Sequence, residues 1–329
     1  MRVLVTGATG FVGQHLTRIL SRKQEVFGTF WRRDFAGSPP GIKLLHCDLR
    51  HAGDVRRLVR DVSPEHVYHL AALSSVRGSF NHAKAFYDAN FLGTLNLLEA
   101  VRISGLSARV LLVGSAHCYG RVSGSHLPIV ETEPLNPDSP YGVSKAAADM
   151  LGAHFFQNHG AHVVRARSFN HTGPGQSPEF VCSDFARQFA AIGLRLARPS
   201  IRVGNVNIRR DFSDVRDVVR AYILLLQKGK VGQAYNVASG RAVSLREVLA
   251  ILQSLCPREV KIDVEPQRLR RGEADVLYGN NRKLKQATGW RPKYDLSTTL
   301  HDLYAYWKET LHKGNDRNSG IGAKLGWMA

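Results

Sequence analysis

The sequence predicts an α/β chain in which a doubly wound parallel sheet carries a smaller α/β lobe. Three observations lead there. Short apolar runs without helical period recur along the chain and alternate with segments of helical period, the pattern of strands joined by crossover helices. The first run passes directly into glycines at three-residue spacing and then into an amphipathic helix. With 329 residues there is length for a full core and a second lobe.

Val3, Leu4 and Val5 form the first strand, apolar on both faces. Gly7, Gly10 and Gly13 follow, with Phe11, Val12, Leu16 and Leu20 as the apolar face of the first helix. Gly7 permits a sharp exit from the strand, Gly10 close approach of a phosphate to the backbone, and Gly13 tight helix-sheet packing. The N–H groups at the helix start favour an anion, so Gly7, Thr9, Gly10, Phe11, Val12 and Gly13 are the candidate dinucleotide-binding turn. Val26 to Phe30 makes the second strand. A carboxylate at its end would bind a ribose hydroxyl and an arginine a 2′-phosphate. Trp31 is followed by Arg32 and Arg33, which favours NADP(H), with NAD(H) the alternative.

Leu44 to Leu49 reads as the third strand, ending at Asp48. Asp48 is either a cofactor ligand or a cap for the helical segment from Asp54 onward. Val67 to Ala72 is the fourth strand, its small Ala71 and Ala72 permitting close approach of a cofactor. A long helical pattern over Ala83 to Ser104 contains Asn90, Gly93 and Thr94, polar residues of the kind that anchor neighbouring loops. The fifth strand, Ala108 to Gly114, delivers Ser115 to Gly120 to the carboxyl edge of the sheet, where open α/β sheets bind ligands.

Tyr141-Gly-Val-Ser-Lys145 then opens a helix running to Phe156, and its spacing puts phenol and ammonium on one face. A tyrosine with its ordinary pKa of about 10 is a poor acid at neutral pH. An adjacent ammonium is expected to lower it, so that Tyr141 protonates a carbonyl oxygen also held by Ser115. The sixth strand, Val163 to Arg167, leads to Ser168-Phe-Asn-His-Thr-Gly-Pro-Gly-Gln176, where the second lobe begins. Beyond it come a helix over Phe180 to Leu196, the stretch Ile201 to Val218, a strand at Tyr235, a capped helix over Ser244 to Leu255 and closing helices at 283–290 and 296–311. The expected division is 1–170 with 211–240 for the cofactor domain and 171–210 with 241–312 for the lobe. Residues 313–329 are expected to be a flexible tail.

The Gly-x-x-Gly-x-x-Gly turn, Ser115 and the Tyr141/Lys145 pair together resemble the extended short-chain dehydrogenase/reductases, the NAD-dependent epimerase/dehydratase family, over about residues 1–312. The resemblance implies a Rossmann-type sheet, a nicotinamide cofactor held also by Asp48, Leu49, Ala71, Ala72 and Lys145, and a nucleotide-sugar substrate. By resemblance Asn170 holds the substrate diphosphate, Arg209 clamps its phosphates and Arg270 and Glu273 bind phosphate and ribose; Arg271 stands where related enzymes carry proline. Ser168 to Gln176, Phe180 to Arg187 and Arg209 to Tyr222 look most like members that reduce the C4 ketone of GDP-4-dehydro-6-deoxy-D-mannose to GDP-D-rhamnose. A 4-epimerase or a GDP-mannose 4,6-dehydratase is the alternative. Dehydratases carry an acid two residues after the catalytic Ser or Thr, where this chain has His117, which argues for reduction; His117 joins Ser115, Tyr141 and Lys145 as a candidate catalytic residue.

The formal net charge is +18, from 45 Lys and Arg against 27 Asp and Glu. Such an excess fits either nucleic acid or an anionic small molecule. With no basic block interleaved with aromatics, the small molecule is preferred, and the different-class alternative is a non-catalytic NAD(P)-binding protein with an RNA or protein partner. Cys47, Cys118, Cys182 and Cys256 show no metal or redox spacing, so buried thiols and no metal are expected. The absence of a long apolar run and of a leader pattern leads to the expectation of a cytoplasmic protein without a membrane span. The resemblance adds a homodimer.

Overall fold

The computed structural model of the chain describes residues 1–31, 41–265 and 274–318. The strands are β1 (Arg2–Thr6), β2 (Glu25–Phe30), β3 (Ile42–His46), β4 (His66–His69), β5 (Arg109–Ser115), β6 (Val163–Ser168) and β7 (Asn170–Thr172). They continue as β8 (Ser200–Val203), β9 (Arg209–Asp214), β10 (Ala234–Val237), β11 (Ala242–Ser244), β12 (Lys261–Val264) and β13 (Val276–Leu277). The helices are α1 (Phe11–Leu20), α2 (Ala52–Val62), α3 (Val76–Asn81), α4 (Ala83–Phe86), α5 (Gly93–Ile103) and α6 (Pro140–His159). After them come α7 (Val181–Gly193), α8 (Val215–Lys228), α9 (Leu245–Leu255), α10 (Arg282–Thr288) and α11 (Leu296–Asn318). The chain divides into two compact units. One comprises Met1–His171, Arg210–Ala242 and Val276–Lys293, the other Thr172–Arg209, Val243–Asp275 and the chain from Tyr294.

In the first unit seven strands form one sheet in the order β10-β6-β5-β4-β1-β2-β3. Every pairing in it is parallel, with Val3 opposite Val26 on one side and His66 on the other. Alternation along β1 sends Val3 and Val5 to one face and Leu4 to the other. Val3 and Val5 pack with Leu16 and Leu20 of α1 and with Val218, Tyr222 and Leu225 of α8. Leu4 packs with Val55 and Leu58 of α2, Leu97 and Val101 of α5, and Phe155 of α6. Helices therefore cover both faces, which is why β1 is an unbroken apolar run rather than an alternating one. Helix starts are locally encoded: Ser139 caps α6 by accepting the Gly142 N–H with Pro140 behind it, and Asp214 caps α8.

Four features differ from the sequence reading. The third strand stops at His46, before Asp48. The long helix expected over Ala83 to Ser104 runs unbroken to Ile103, but widens to a π turn at Tyr87–Leu92 between α4 and α5. There Thr94 Oγ1 donates to the Asn90 carbonyl at 2.6 Å while the Asn90 side chain bonds the Leu73 backbone, so polar groups hold the widened turn. Residues 276–293, expected in the smaller lobe, belong to the first unit, because Leu284 and Trp290 are buried in its core and Trp290 Nε1 donates to the Asp217 carbonyl at 3.0 Å. The expected tail is helical as far as Asn318, as the last turns of α11.

In the second unit α11 packs on α7 and α9 around buried Phe185, Phe189, Leu252, Leu300 and Leu303. Trp307 Nε1 donates to Ser183 Oγ at 3.0 Å, and β8 pairs with β12 in parallel. Ser244 and Glu247 close a full capping box on α9, as their spacing predicts. All four cysteines are free and buried. Among the described residues no helix is long and apolar enough to cross a membrane.

Candidate active site

The glycine turn is built by close approach. Gly7 has φ +71°, and a Cβ there would lie 2.9 Å from the backbone of Ala71. A Cβ on Gly13 would meet the Gly7 carbonyl oxygen at 2.2 Å. Gly10 is exposed and is the N-cap of α1, where no side chain caps the helix. The positive end of α1 thus opens at a bare backbone turn with half-buried Thr9, Phe11 and Val12 around it, a cradle that fits a pyrophosphate. Ala71 and Ala72, half-buried, follow β4, and the Ala71 N–H donates to Thr6 Oγ1 at 3.2 Å.

Asp48 does not cap α2, whose N-cap is His51. Its carboxylate is taken by Arg50, Nη2 to Oδ2 at 2.6 Å and Nε to Oδ1 at 2.9 Å, and this partner holds it below the usual carboxylate range. Arg50 lies over the Trp31 ring, 4.6 Å from its centroid. Leu49 is buried and its carbonyl accepts Asn96 Nδ2 at 2.8 Å. Arg32 and Arg33 lie outside the described residues.

Ser115, His117, Tyr141 and Lys145 all belong to the first unit. Ser115 ends β5, and its Oγ accepts the His117 N–H at 3.2 Å, opening a 3-10 turn over Ala116–Cys118. Tyr141, 7% exposed, enters on the first turn of α6. Its ring stands edge-to-face against that of His117, with centroids 5.7 Å apart, and against that of Phe86 at 6.3 Å. Burial pushes the Tyr141 phenol above its ordinary value, and a hydrogen bond with the Ser115 hydroxyl pulls it partly back. This corrects the expectation that Lys145 draws the phenol down: burial raises it, and what opposes burial is the Ser115 hydroxyl rather than the ammonium. Lys145 Nζ donates instead to the Val113 carbonyl at 2.8 Å, and burial pushes the ammonium down to about 8.

A polar chain supports this corner, in which the sequence reading named Asn90 and Thr94 only as loop anchors and did not single out His69. Thr6 Oγ1 and Thr94 Oγ1 lie 2.8 Å from Nδ1 and 2.9 Å from Nε2 of the buried His69. Because Thr94 donates onward to Asn90, it must accept from Nε2–H, leaving Nδ1 to accept from Thr6. Asn90 Nδ2 donates to Ser144 Oγ at 2.9 Å, and Ser144 donates to the Tyr141 carbonyl at 2.7 Å. The chain runs from β1 to α6, and burial pushes the His69 imidazole down to about 3. Behind α6, Asp149 is gripped by two arginines, Arg165 Nη1 at 2.6 Å and Arg167 Nη2 at 2.8 Å. The sequence signals were a histidine inside an apolar strand and charges on two buried elements, neither specific by itself.

Asn170 begins β7 in the first unit, half-buried, and the neighbouring His171 ring stacks on Phe11 with centroids 6.2 Å apart. Arg209 begins β9 and is exposed, its N–H donating to the Asp275 carbonyl at 2.7 Å within the second unit. Arg270, Arg271 and Glu273 lie outside the described residues. Among the described residues no group of three or more His, Cys, Asp or Glu side chains is placed to hold a metal ion.

Comparison with known proteins agrees with this geometry. Residues 4–303 match the family model of GDP-mannose 4,6 dehydratase. The chain is 36% identical over 312 residues to GDP-6-deoxy-D-mannose reductase of Pseudomonas aeruginosa, covering 95% of this chain and 99% of that one. Among solved structures it is similar to RMD from Pseudomonas aeruginosa complexed with NADPH, with TM-score 0.83, 35% identity, and 94% and 99% of the two chains covered. It is also similar to UDP-glucose 4-epimerase of Thermotoga maritima, with TM-score 0.87, 26% identity, and 94% and 100% covered. The chain thus belongs to the GDP-mannose 4,6-dehydratase family of extended short-chain dehydrogenase/reductases.

Proposed function

We propose that the protein reduces the C4 ketone of GDP-4-dehydro-6-deoxy-D-mannose to the alcohol of GDP-D-rhamnose, with NADP(H) as the preferred nicotinamide cofactor. The observation that carries the reading is the pairing of Ser115 with Tyr141 at the sheet edge, with His117 and no carboxylate two residues past the serine. When bound, the cofactor supplies a hydride to C4. Gly7, Gly10 and Gly13 with the start of α1 hold its pyrophosphate, and Asp48, Leu49, Ala71 and Ala72 border it. Ser115 fixes the ketone oxygen, and Tyr141 hands that oxygen the one proton the alcohol requires. Lys145, whose ammonium donates to the Val113 carbonyl, would hold the cofactor ribose. Asn170, Arg209, Arg270 and Glu273 are assigned to the nucleotide. The similarity to the Pseudomonas aeruginosa reductase supports this choice over the dehydratase and epimerase reactions of other relatives. The same reading includes a cytoplasmic homodimer.

The test is oxidation of NADPH and of NADH at 340 nm with freshly prepared GDP-4-dehydro-6-deoxy-D-mannose, followed by product analysis. Stoichiometric oxidation to a GDP-deoxyhexose, faster with NADPH, is expected. No oxidation with either cofactor, or turnover of GDP-mannose with the cofactor recycled, would overturn the reading.

A further inference from the structure

We propose that Arg50 recognises the phosphomonoester on the adenosine 2′ oxygen of NADP(H), which makes the exit of β3 a determinant of cofactor choice. This rests on the reading that a nicotinamide dinucleotide binds at the glycine turn with its pyrophosphate at the start of α1.

The backbone places Arg50 at the adenosine end of such a ligand. The glycine turn lies against the last residues of β2, with the Ala8 N–H donating to the Thr29 carbonyl at 3.0 Å and the Gly7 N–H to Thr29 Oγ1 at 3.3 Å. The exit of β3 is tied to the same place, through the Cys47 N–H on the Phe30 carbonyl at 3.0 Å and His46 Nε2, 3.2 Å from the Trp31 carbonyl. In a sheet of this winding the ribose next to the pyrophosphate comes to rest at the carboxyl end of the second strand, where a carboxylate selects its free hydroxyl and an arginine accepts its phosphate. Trp31 stands at that end and carries neither group. Arg50 supplies the cation from the neighbouring strand, its guanidinium 4.6 Å from the centroid of the Trp31 ring.

The pairing with Asp48 leaves one nitrogen to offer. Nε and Nη2 donate to Asp48 at 2.9 Å and 2.6 Å, and Nη1 donates to none of the described residues. The Arg50 side chain is 36% exposed and that of Asp48 13%, so the cation faces solvent while its counter-charge is withdrawn. Asp88, the other carboxylate acting on the Arg50 charge, is taken by Lys84 at 2.6 Å. Alone, Asp48 would repel a phosphate dianion and suit a hydroxyl. Clamped by Arg50 it is neutralised, and the planar fork, flat on an indole and fixed at two nitrogens, presents the third without the ordering cost of a loose side chain.

NADPH and NADH differ only in the 2′-phosphate, so the experiment titrates the full chain with each, by fluorescence, in wild type, R50M and D48N/R50M. Wild type is expected to bind NADPH more tightly. R50M should lose about 10- to 100-fold in NADPH affinity, the range of a hydrogen bond to a charged group, with NADH binding little changed. A packing role would weaken both cofactors alike, and that result overturns the proposal. In D48N/R50M no carboxylate remains here to repel the phosphate. The preference should stay lost, and its full return overturns direct recognition, since Arg50 would then only mask Asp48. Retained NADH binding shows that R50M is folded; if it binds neither cofactor, R50Q, which keeps an N–H for Asp48, replaces it. An NADPH preference undiminished in R50M overturns the inference and leaves the cofactor reading standing, whereas no preference in wild type removes both. Binding alone is read, so failure of the reductase reaction would not alter the outcome.

Discussion

Replacing His69 by asparagine tests the buried chain that ties β1 to α6, and the informative variable is acid. Burial lowers the imidazole from 6.5 to about 3. Below pH 6.5 the unfolded chain takes up a proton at His69 that the folded chain refuses until about pH 3, so stability falls as pH falls across that window. Each pH unit there costs about 1.4 kcal/mol, so going from pH 7 to 5 costs the wild-type fold about 2 kcal/mol from this group. Asparagine still offers Thr6 an acceptor but leaves Thr94 without its donor, a loss of about 1–3 kcal/mol at pH 7. It has no proton to refuse, so the gap between variant and wild type should narrow by about 2 kcal/mol on acidification. Urea unfolding followed by far-UV circular dichroism at pH 7, 6 and 5 measures it. Asp211, which burial raises to about 6, titrates with the opposite sign in both proteins and cancels in the comparison. Parallel pH profiles for the two proteins would refute a neutral, proton-refusing His69.

Gly13→Ala should lower the melting temperature and weaken NADPH binding at least about tenfold, because its methyl group would meet backbone, the Gly7 carbonyl, that cannot yield; a fluorescence titration checks the binding. Asp149→Asn leaves two arginines, Arg165 and Arg167, in a buried site without their counter-charge, and should cost about 3–5 kcal/mol in the denaturant midpoint. Lys145→Met should abolish reduction yet stabilise the fold at pH 7 by about 1–3 kcal/mol, since burial taxes the ammonium. Between pH 8 and 10.5 the folded lysine sheds its proton before the unfolded one, so wild-type stability rises and the difference should close; melts at pH 7 and 10 decide it.

Local chemistry made much of this protein legible along the chain. Glycine spacing after an apolar run determined β1, its turn and α1, because a backbone that must pass within contact distance of another backbone excludes side chains. Ser139 with Pro140, and Ser244 with Glu247, determined helix starts, since each satisfies end groups within one turn. Tyr141 and Lys145 were legible as a pair because helical geometry alone places residues four apart on one face. Tertiary structure decided what depends on partners distant in sequence. It widened the helix at Tyr87–Leu92 around Asn90, gave Trp290 and its helix to the first unit, and sent the Lys145 ammonium to the Val113 carbonyl. It also raised the Tyr141 phenol where the sequence reading lowered it, and made His69 a neutral link between two threonines. Desolvation and hydrogen-bond partnership come from what the rest of the chain packs around a group, and no window of sequence contains them.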